Sequence, residues 1–450
     1  MTKVARIART VLANDVLKGS ASVLAIKFGS SVLGFAIFAL SSRLMDPAAF
    51  GTLAIIFNAM SFLAVAALCG QETLIIRSWD EYCRTGRPEL ARGALEFGAQ
   101  IVLAAALLTA AAIAAAWLAW DPQVSRSLVA AACAFLFAQA VVHFSGQFAR
   151  VAGGLVVAEF PREFMWRLIV VVVIAVHHLM QIGFGATEFF LVSTGALLLA
   201  LLFQIWRVAG TLPRAVIGMK SQREASVWIA RSFKMWLSSL MDTTSQYVEV
   251  VVVGFVLGPT VAAFYFVSTR ITNIFAMISG SITVYAMRQI SGLFYADAKD
   301  ELQNILRSLA LISAIVAGVA VAVILLGGKL LLWTFGEVYV SAYPALVVLT
   351  VGASISALSG PAGYVLLLTG NEGIYPRIMA AGLLLRFALI AILGPLFGLM
   401  GVVIAWSVSA VVIALALTVA CRYFVGLDPS LSSVLVRSRL PVAPLTENTP

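Results

Sequence analysis

Apolar runs of about 20 residues or more, one after another and separated by short polar stretches, fill this chain from end to end. A helix needs about 20 apolar residues to cross some 30 Å of hydrocarbon, and only a helix or a closed barrel satisfies its own backbone hydrogen bonds there. The runs do not alternate in polarity, which sets aside a transmembrane barrel. Hydrophobic residues make up 61% of the 450 and charged residues 11%, whereas soluble domains carry about 25% charged. No water-soluble fold hides that much apolar surface. Spans are expected at about 18–42, 51–76, 94–118, 127–149, 164–182, 186–206, 235–257, 261–287, 308–327, 343–369, 374–395 and 399–422. The first run follows basic residues, as a signal peptide does, but it is too long and reads as a retained helix.

The net charge of +9 raises nucleic acid as a partner, and its placement argues against that. Only Arg43, Arg126 and Lys329 fall in connections on one side, and Lys27, Arg270 and Arg386 fall within spans. Every other Lys and Arg, Arg150, Arg162 and Arg167 included, is assigned to the opposite side, which the positive-inside rule makes cytoplasmic together with both termini. The chain then divides into a basic cytoplasmic segment (1–17), an N-lobe of spans 1–6 (18–206), a basic cytoplasmic linker (207–234), a C-lobe of spans 7–12 (235–422) and a cytoplasmic tail (423–450). Val4, Ile7 and Val11 share a face among basic residues, as in an interfacial helix. The linker lies on the anionic lipid surface or is a solvated connection between halves. The tail after Gly426, with Pro429, Pro441, Pro444 and Pro450, is expected to be mobile.

Landmarks recur at an offset of 214 or 215 residues. Ala48-Ala49-Phe50-Gly51 after Asp46-Pro47 matches Ala262-Ala263-Phe264-Tyr265 after Gly258-Pro259. Ser145-Gly146 matches Ser359-Gly360, and Phe160-Pro161-Arg162 matches Tyr375-Pro376-Arg377. A shift of six spans preserves orientation, so the repeat is parallel. The expected architecture is an all-α integral membrane protein of about 12 transmembrane helices, in two parallel-repeat six-helix lobes around a central cavity.

Ionisable residues within spans cost about 2.5–3.5 kcal/mol each and face a cavity or a partner. Lys27, Ser30, Ser31 and Gly34 share one helical face in the first span, and Asp242, Ser245, Gln246 and Glu249 repeat that spacing in the seventh. One stripe is cationic, the other anionic. Lys27, Arg270 and Arg386, with Ser30 and Ser31, are candidates for binding an anionic head group. Asp242, Glu249 and Gln246 are candidates for ion coupling. The alternative is simple charge pairing, Lys27 with Asp242 and Arg270 with Glu249.

Gly360 and Pro361 interrupt the tenth span and mark a hinge, because proline removes a backbone donor and glycine permits bending. His177 and His178 read as interfacial polarity and His143 as a packed histidine. Cys69, Cys83, Cys133 and Cys421 form no metal or redox motif, so no metal is expected. Gly327-Gly328-Lys329-Leu330 lacks the upstream glycine and the Ser/Thr of a phosphate loop, and there is no HExxH or GxSxG. No cofactor is expected, and the chain reads as a transporter rather than an enzyme.

The run Ser42-Arg43-Leu44-Met45-Asp46-Pro47-Ala48-Ala49-Phe50-Gly51-Thr52-Leu53, followed by Gly70 and Ile75-Ile76-Arg77, resembles the opening of bacterial polysaccharide-exporting flippases. Phe335-Gly336-Glu337-Val338-Tyr339, then Ala342, Leu346, Gly352 and Gly370, is similar to their tenth-span region. These proteins belong to the multidrug, oligosaccharidyl-lipid and polysaccharide exporter superfamily. The resemblance implies two six-helix lobes whose cavity opens alternately to each side. It also implies a bacterial inner (cytoplasmic) membrane location and movement of a polyprenyl-pyrophosphate-linked oligosaccharide for exopolysaccharide, capsule or O-antigen (lipopolysaccharide) assembly. Lys27, Arg270 and Arg386 would then meet the pyrophosphate. Membrane lipids, a polysaccharide polymerase and glycosyltransferases would be the partners, with no nucleic acid. A cation-coupled multidrug exporter of the same superfamily and an integral-membrane glycan polymerase or ligase are the alternatives.

Overall fold

A computed structural model describes residues 3–210, 220–296, 298–371 and 373–435, and among them every regular element is helical. Ten helices are long and apolar enough to cross a membrane: Ala25–Leu44, Pro47–Arg84, Pro88–Trp120, Arg126–Ala152, Leu155–Met180, Ala186–Ala209, Ala225–Leu257, Lys299–Trp333, Glu337–Leu368 and Ile374–Phe424. The last of these has 51 residues and reverses at Gly398, whose φ of 59° and ψ of −137° leave the helical region. Gly382 meets Ile413 and Arg386 meets Ser409, an antiparallel pairing that makes it two spans. Pro259–Tyr295 supplies the eighth. The twelve expected spans are therefore all accounted for.

The recurrent Pro47 and Pro259 each open a helix, where the missing N–H is not needed. Asp46 caps the first of these by accepting from the N–H groups of Ala48 (2.9 Å) and Ala49 (3.0 Å). Large apolar side chains such as Leu326, Leu179 and Phe255 are left exposed on the helix surfaces, as a chain with spans of this length requires of its lipid-facing positions. The helix of the first span begins at Lys3. The side chains of Val4, Ile7 and Val11 lie outside the described ones.

Two compact units divide the chain at Val251 and Val252. In the first, Phe38, Phe57, Phe135, Phe189 and Phe190 form an aromatic cluster, with ring centroids 5.1–5.6 Å apart for the pairs Phe38–Phe57, Phe57–Phe135, Phe135–Phe190 and Phe189–Phe190. It fills the half of this unit adjoining connections 45–46, 121–125 and 181–185. The described part of the expected linker, 220–234, packs against the ends of spans 2 and 3. Gln222 donates its N–H to the Glu89 carbonyl (3.2 Å), and a side chain at Gly93 would overlap the Gln222 carbonyl. Trp228 is fully buried and donates to the Tyr82 hydroxyl (2.9 Å), so the seventh-span helix starts at Ala225 on the ends of spans 2 and 3. Residues 211–219 lie outside the described residues.

In the second unit the tenth span is interrupted between Ala357 and Ala362, with Gly360 at φ +63°. The tail, expected to be mobile, is held against this break. Leu431 donates its N–H to the Leu358 carbonyl (2.9 Å), and a side chain at Gly360 would overlap the Pro429 carbonyl. Gln303 of the ninth span pairs with the Asp428 backbone in both directions (2.7 and 3.0 Å), and Arg307 Nε donates to the Ser433 carbonyl (3.0 Å). Leu427 joins the apolar core with Leu302, Leu306 and Val365. Burial and hydrogen bonding thus order 427–435, which composition alone did not suggest. Residues 436–450, with Pro441, Pro444 and Pro450, lie outside the described residues.

Burial opposes ionisation of Asp428. The Ser430 hydroxyl and N–H, the Arg422 guanidinium and the Ser432 hydroxyl outweigh that burial and hold its carboxyl below the usual carboxylate range. Arg422, Cys421 and, through Ser433, Arg307 are the ionisable groups around it. A depressed folded-state value contributes stability above the unfolded-state range and loses it only as pH falls through the folded value. The seated tail is therefore expected to show constant hydrogen-exchange protection from neutral pH down to about 5, with loss only in stronger acid. Asp428→Asn should abolish that acid transition.

Candidate functional site

A polar cavity of about 340 Å³ lies within the first unit, in the half away from the aromatic cluster. Spans 2, 4, 5, 6 and 7 line it through Glu72, Gln139, His143, Arg162, Glu163, Arg167, Leu197 and Asp242, among others. The charged wall comes from a helical irregularity in the fifth span. Phe160–Met165 forms a π-turn entered through Pro161, which has no N–H to give to a regular α-helical ladder. The turn projects Arg162 and Glu163 into the unit, and Arg167 follows one turn later.

These charges are closely paired. Arg167 Nη1 lies 2.7 Å from Glu163 Oε2, and Arg162 Nη2 lies 3.2 Å from Glu163 Oε1 and 3.1 Å from Glu159 Oε2. Glu159 is 1% exposed and is also bound by Arg150. Gly146 of the fourth span leaves room for Arg162, since a Cβ there would lie 2.9 Å from Arg162 Cδ. Arg167 packs 5.1 Å over the Trp166 ring and donates to the Ser30 hydroxyl. The arginines are thus oriented by carboxylates and an aromatic face before any ligand arrives.

The opposite wall is acidic and less compensated. Span 2 breaks at Cys69 and Gly70, both with positive φ, and Gly70 touches the seventh span so closely that a side chain would overlap the Ser232 carbonyl. Trp236 Nε1 donates to the Ala66 carbonyl (2.8 Å), which also accepts the Cys69 N–H (3.3 Å) in the turn. Glu72 is buried just beyond, with one oxygen accepting from Ser239 (2.8 Å). Its other oxygen has no hydrogen-bond partner among the described residues.

The residues marked by the sequence are distributed unevenly. Ser30 is buried beside Arg167 and Glu163, 3.4 Å from Glu163 Oε2. Lys27 is exposed on the first span, and the Ser31 hydroxyl donates to its carbonyl (2.9 Å). Among the described residues Lys27 and Asp242 do not form an ion pair. Asp242 and Gln246 line the cavity, but Glu249 does not. A second π-turn, Thr244–Val248, shifts Glu249 off the shared face that regular helical spacing implies. Arg270 lies 4.6 Å over the Phe266 ring. Arg386 is buried, with Nε donating to Ser409 Oγ (2.8 Å) and Cζ 5.3 Å over Trp406. Lys27 belongs to the first unit and Arg270 and Arg386 to the second. Gly360 and Pro361 occupy the break in the tenth span.

Charge counting missed Arg162, Glu163 and Arg167, because it assigned the cations to a cytoplasmic connection. Two signals pointed to them: the Glu163/Arg167 spacing of four, and the recurrence of Phe160-Pro161-Arg162 in the second half.

The sequence matches the model of a family described as polysaccharide biosynthesis protein over residues 16–290. No curated protein matches it. The fold is similar to an inward-facing multidrug resistance MATE family transporter of the MOP superfamily, at a TM-score of 0.71 and 15% identity over 90% of this chain and 98% of that one. A MOP superfamily transporter from Pyrococcus furiosus, described as having a binding pocket of reverse polarity, gives 0.62 and 14% over 91% and 95%. The bent form of the Vibrio cholerae MATE transporter VcmN gives 0.60 and 12% over 90% and 96%.

Glu159→Ala would leave Arg150 and Arg162 without a shared counter-ion. It is expected to destabilise the protein by about 3–5 kcal/mol, the range for removing one partner of a buried pair. Glu159→Gln, which keeps an acceptor, should cost less. Denaturant unfolding in detergent would measure both.

Proposed function

The chain belongs to the polysaccharide biosynthesis protein family, and from that premise we propose that it is a flippase for a polyprenyl-pyrophosphate-linked oligosaccharide. The observation that carries this reading is the pair Arg162 and Arg167 on the wall of a polar cavity inside a membrane-embedded unit. Guanidinium groups recognise phosphate oxygens in bidentate fashion, and in a site removed from bulk water that attraction is strong. Glu163 holds both arginines until a more highly charged pyrophosphate competes for them. The sugar occupies the cavity while the polyprenyl chain stays in lipid. With the positive-inside assignment, the cavity lies in the cytoplasmic half of the inner membrane, where such a substrate is made, and both termini are cytoplasmic. The aromatic cluster separates the cavity from the other side until the bundle rearranges, as alternating access requires. Lys27 in the first unit, and Arg270 and Arg386 in the second, are further candidates for meeting the head group. Asp242 and Gln246 serve ion coupling from the cavity wall, and Glu249, off that wall, is a separate candidate.

A second reading is a cation-coupled multidrug exporter. It is favoured by Glu72 and Asp242, acids on the cavity wall with no ion pair among the described residues, and by the MATE transporters that share the fold. Transbilayer movement of a fluorescent polyprenyl-pyrophosphate sugar in proteoliposomes separates the two. A charge-assisted hydrogen bond contributes about 1.5–3 kcal/mol, so Arg167→Ala is expected to slow glycan movement about tenfold or more, with partial recovery in Arg167→Lys. Lys27→Ala and Arg270→Ala should slow it less. Efflux of cationic dyes without movement of any glycan would overturn the flippase in favour of the drug exporter.

A further inference from the structure

The tenth span, in the second unit, is not a continuous helix. Between Ala357 and Ala362 the tenth-span helix is interrupted, Pro361 contributes no N–H, and Gly360 adopts a left-handed conformation. A buried backbone carbonyl released by such a break needs a donor. The donor for Leu358 comes from the tail, through the N–H of Leu431 at 2.9 Å. Pro429 lies over Gly360 so closely that only a residue without a side chain fits.

Three spans anchor the segment that supplies this donor. Arg422, near the end of the twelfth span, donates to Asp428 Oδ2 (2.8 Å) and also binds Ser430 and Ser432. Gln303 and Arg307 of the ninth span hold Asp428 and Ser433 by backbone atoms. Leu358 and Gly360 provide the contact with the tenth. Asp428, Ser430 and Ser433 are buried although they follow the last span. Such polar burial is stable only while nearly every partner is in place, so the segment seats or leaves as a whole.

The internal repeat supplies a control. Ser145-Gly146 is the counterpart of Ser359-Gly360, yet there the fourth-span helix continues unbroken from Arg126 to Ala152, with Arg162 lying against Gly146. The Ser-Gly landmark is followed by Gln147 and stays regular in one half, and is followed by Pro361 and broken in the other, where the tail covers it. Beside the break is a cavity of about 230 Å³, lined by Pro361, Tyr364, Leu367, Tyr375 and Met379 among others. Span 10 therefore has room to rearrange once the tail no longer occupies Gly360.

We propose that residues 427–435 are a latch: seated, they hold the tenth span in its bent form, and the conformational cycle requires them to leave Gly360. The second half of this statement rests on the transporter reading; the first does not.

A disulfide across the Leu358–Leu431 contact tests both. The variant carries Leu358→Cys and Leu431→Cys, with Cys69, Cys83, Cys133 and Cys421 replaced by Ala. In the full-length protein in nanodiscs, oxidation is expected to slow hydrogen exchange of residues 358–368 about tenfold or more, and reductant should restore it. Gly360→Ala, which crowds Pro429, should speed exchange of both 358–368 and 427–435. Exchange at 358–368 unchanged by either manipulation would overturn the latch, whatever the protein transports. In proteoliposomes the oxidised variant should move substrate at least about tenfold more slowly than after reduction. Movement at an equal rate would overturn the requirement for release and leave 427–435 a fixed brace. Slowed exchange in a protein that moves neither glycan nor cationic dye would uphold the seated latch and overturn the transport reading, and the proposed release with it.

Discussion

A backbone amide in hydrocarbon has nowhere to turn but to its own protein. That constraint explains why the described residues are helical through their long apolar runs, and why their departures from helix are places where distant side chains and segments gather. The span-2 break draws Trp236 to the Ala66 carbonyl. Beside the π-turn in span 5, Gln204 Nε2 donates to the carbonyl of Ala158 (3.2 Å) and its oxygen accepts from Ser145 (2.6 Å). The break in span 10 draws the tail. Each irregularity is thus also a tertiary contact. Polar groups gathered for structural reasons become the furnishings of a cavity.

The two halves resolve the same constraint differently. Their shared proline-initiated helices and paired landmarks show a common plan. The first half buries a charged network of three arginines and two glutamates around its fifth-span π-turn. The second is more apolar at the corresponding place, with Tyr375 packed against Gly363 and the polar groups supplied by the tail. A duplicated scaffold has in this way acquired one half furnished for electrostatics and one with an added mechanical support.

Much of the fold was legible in the sequence, because hydrophobic length is a strong signal and a twelve-span count follows almost directly from it. The separate spans 11 and 12 followed from the same signal, whereas Asp46-Pro47, expected in a connection before a span at 51, proved to open the helix itself. The site was less so. Arg162 and Arg167 lie close to a span end in sequence, and charge counting cannot tell a guanidinium outside the bundle from one turned inward by a π-turn. Regular periodicity likewise placed Glu249 beside Asp242, but one widened turn between them separates the two. Pro429 and the serines around it look like a mobile terminus until Gln303 and Arg307, more than a hundred residues earlier, are seen to receive them.

The reversal at Gly398 also bears on biogenesis. A lone arginine in the middle of a nascent span is a poor candidate for entering lipid, at about 2.5–3.5 kcal/mol on insertion scales. Arg386 need not enter alone. Its hydrogen-bond acceptor Ser409 and its aromatic cover Trp406 lie on the next span, joined through a turn so tight that a side chain at Gly401 would overlap the Leu393 carbonyl. The two helices can leave the translocation machinery as one preassembled hairpin, with the guanidinium already enclosed when it first meets the acyl chains.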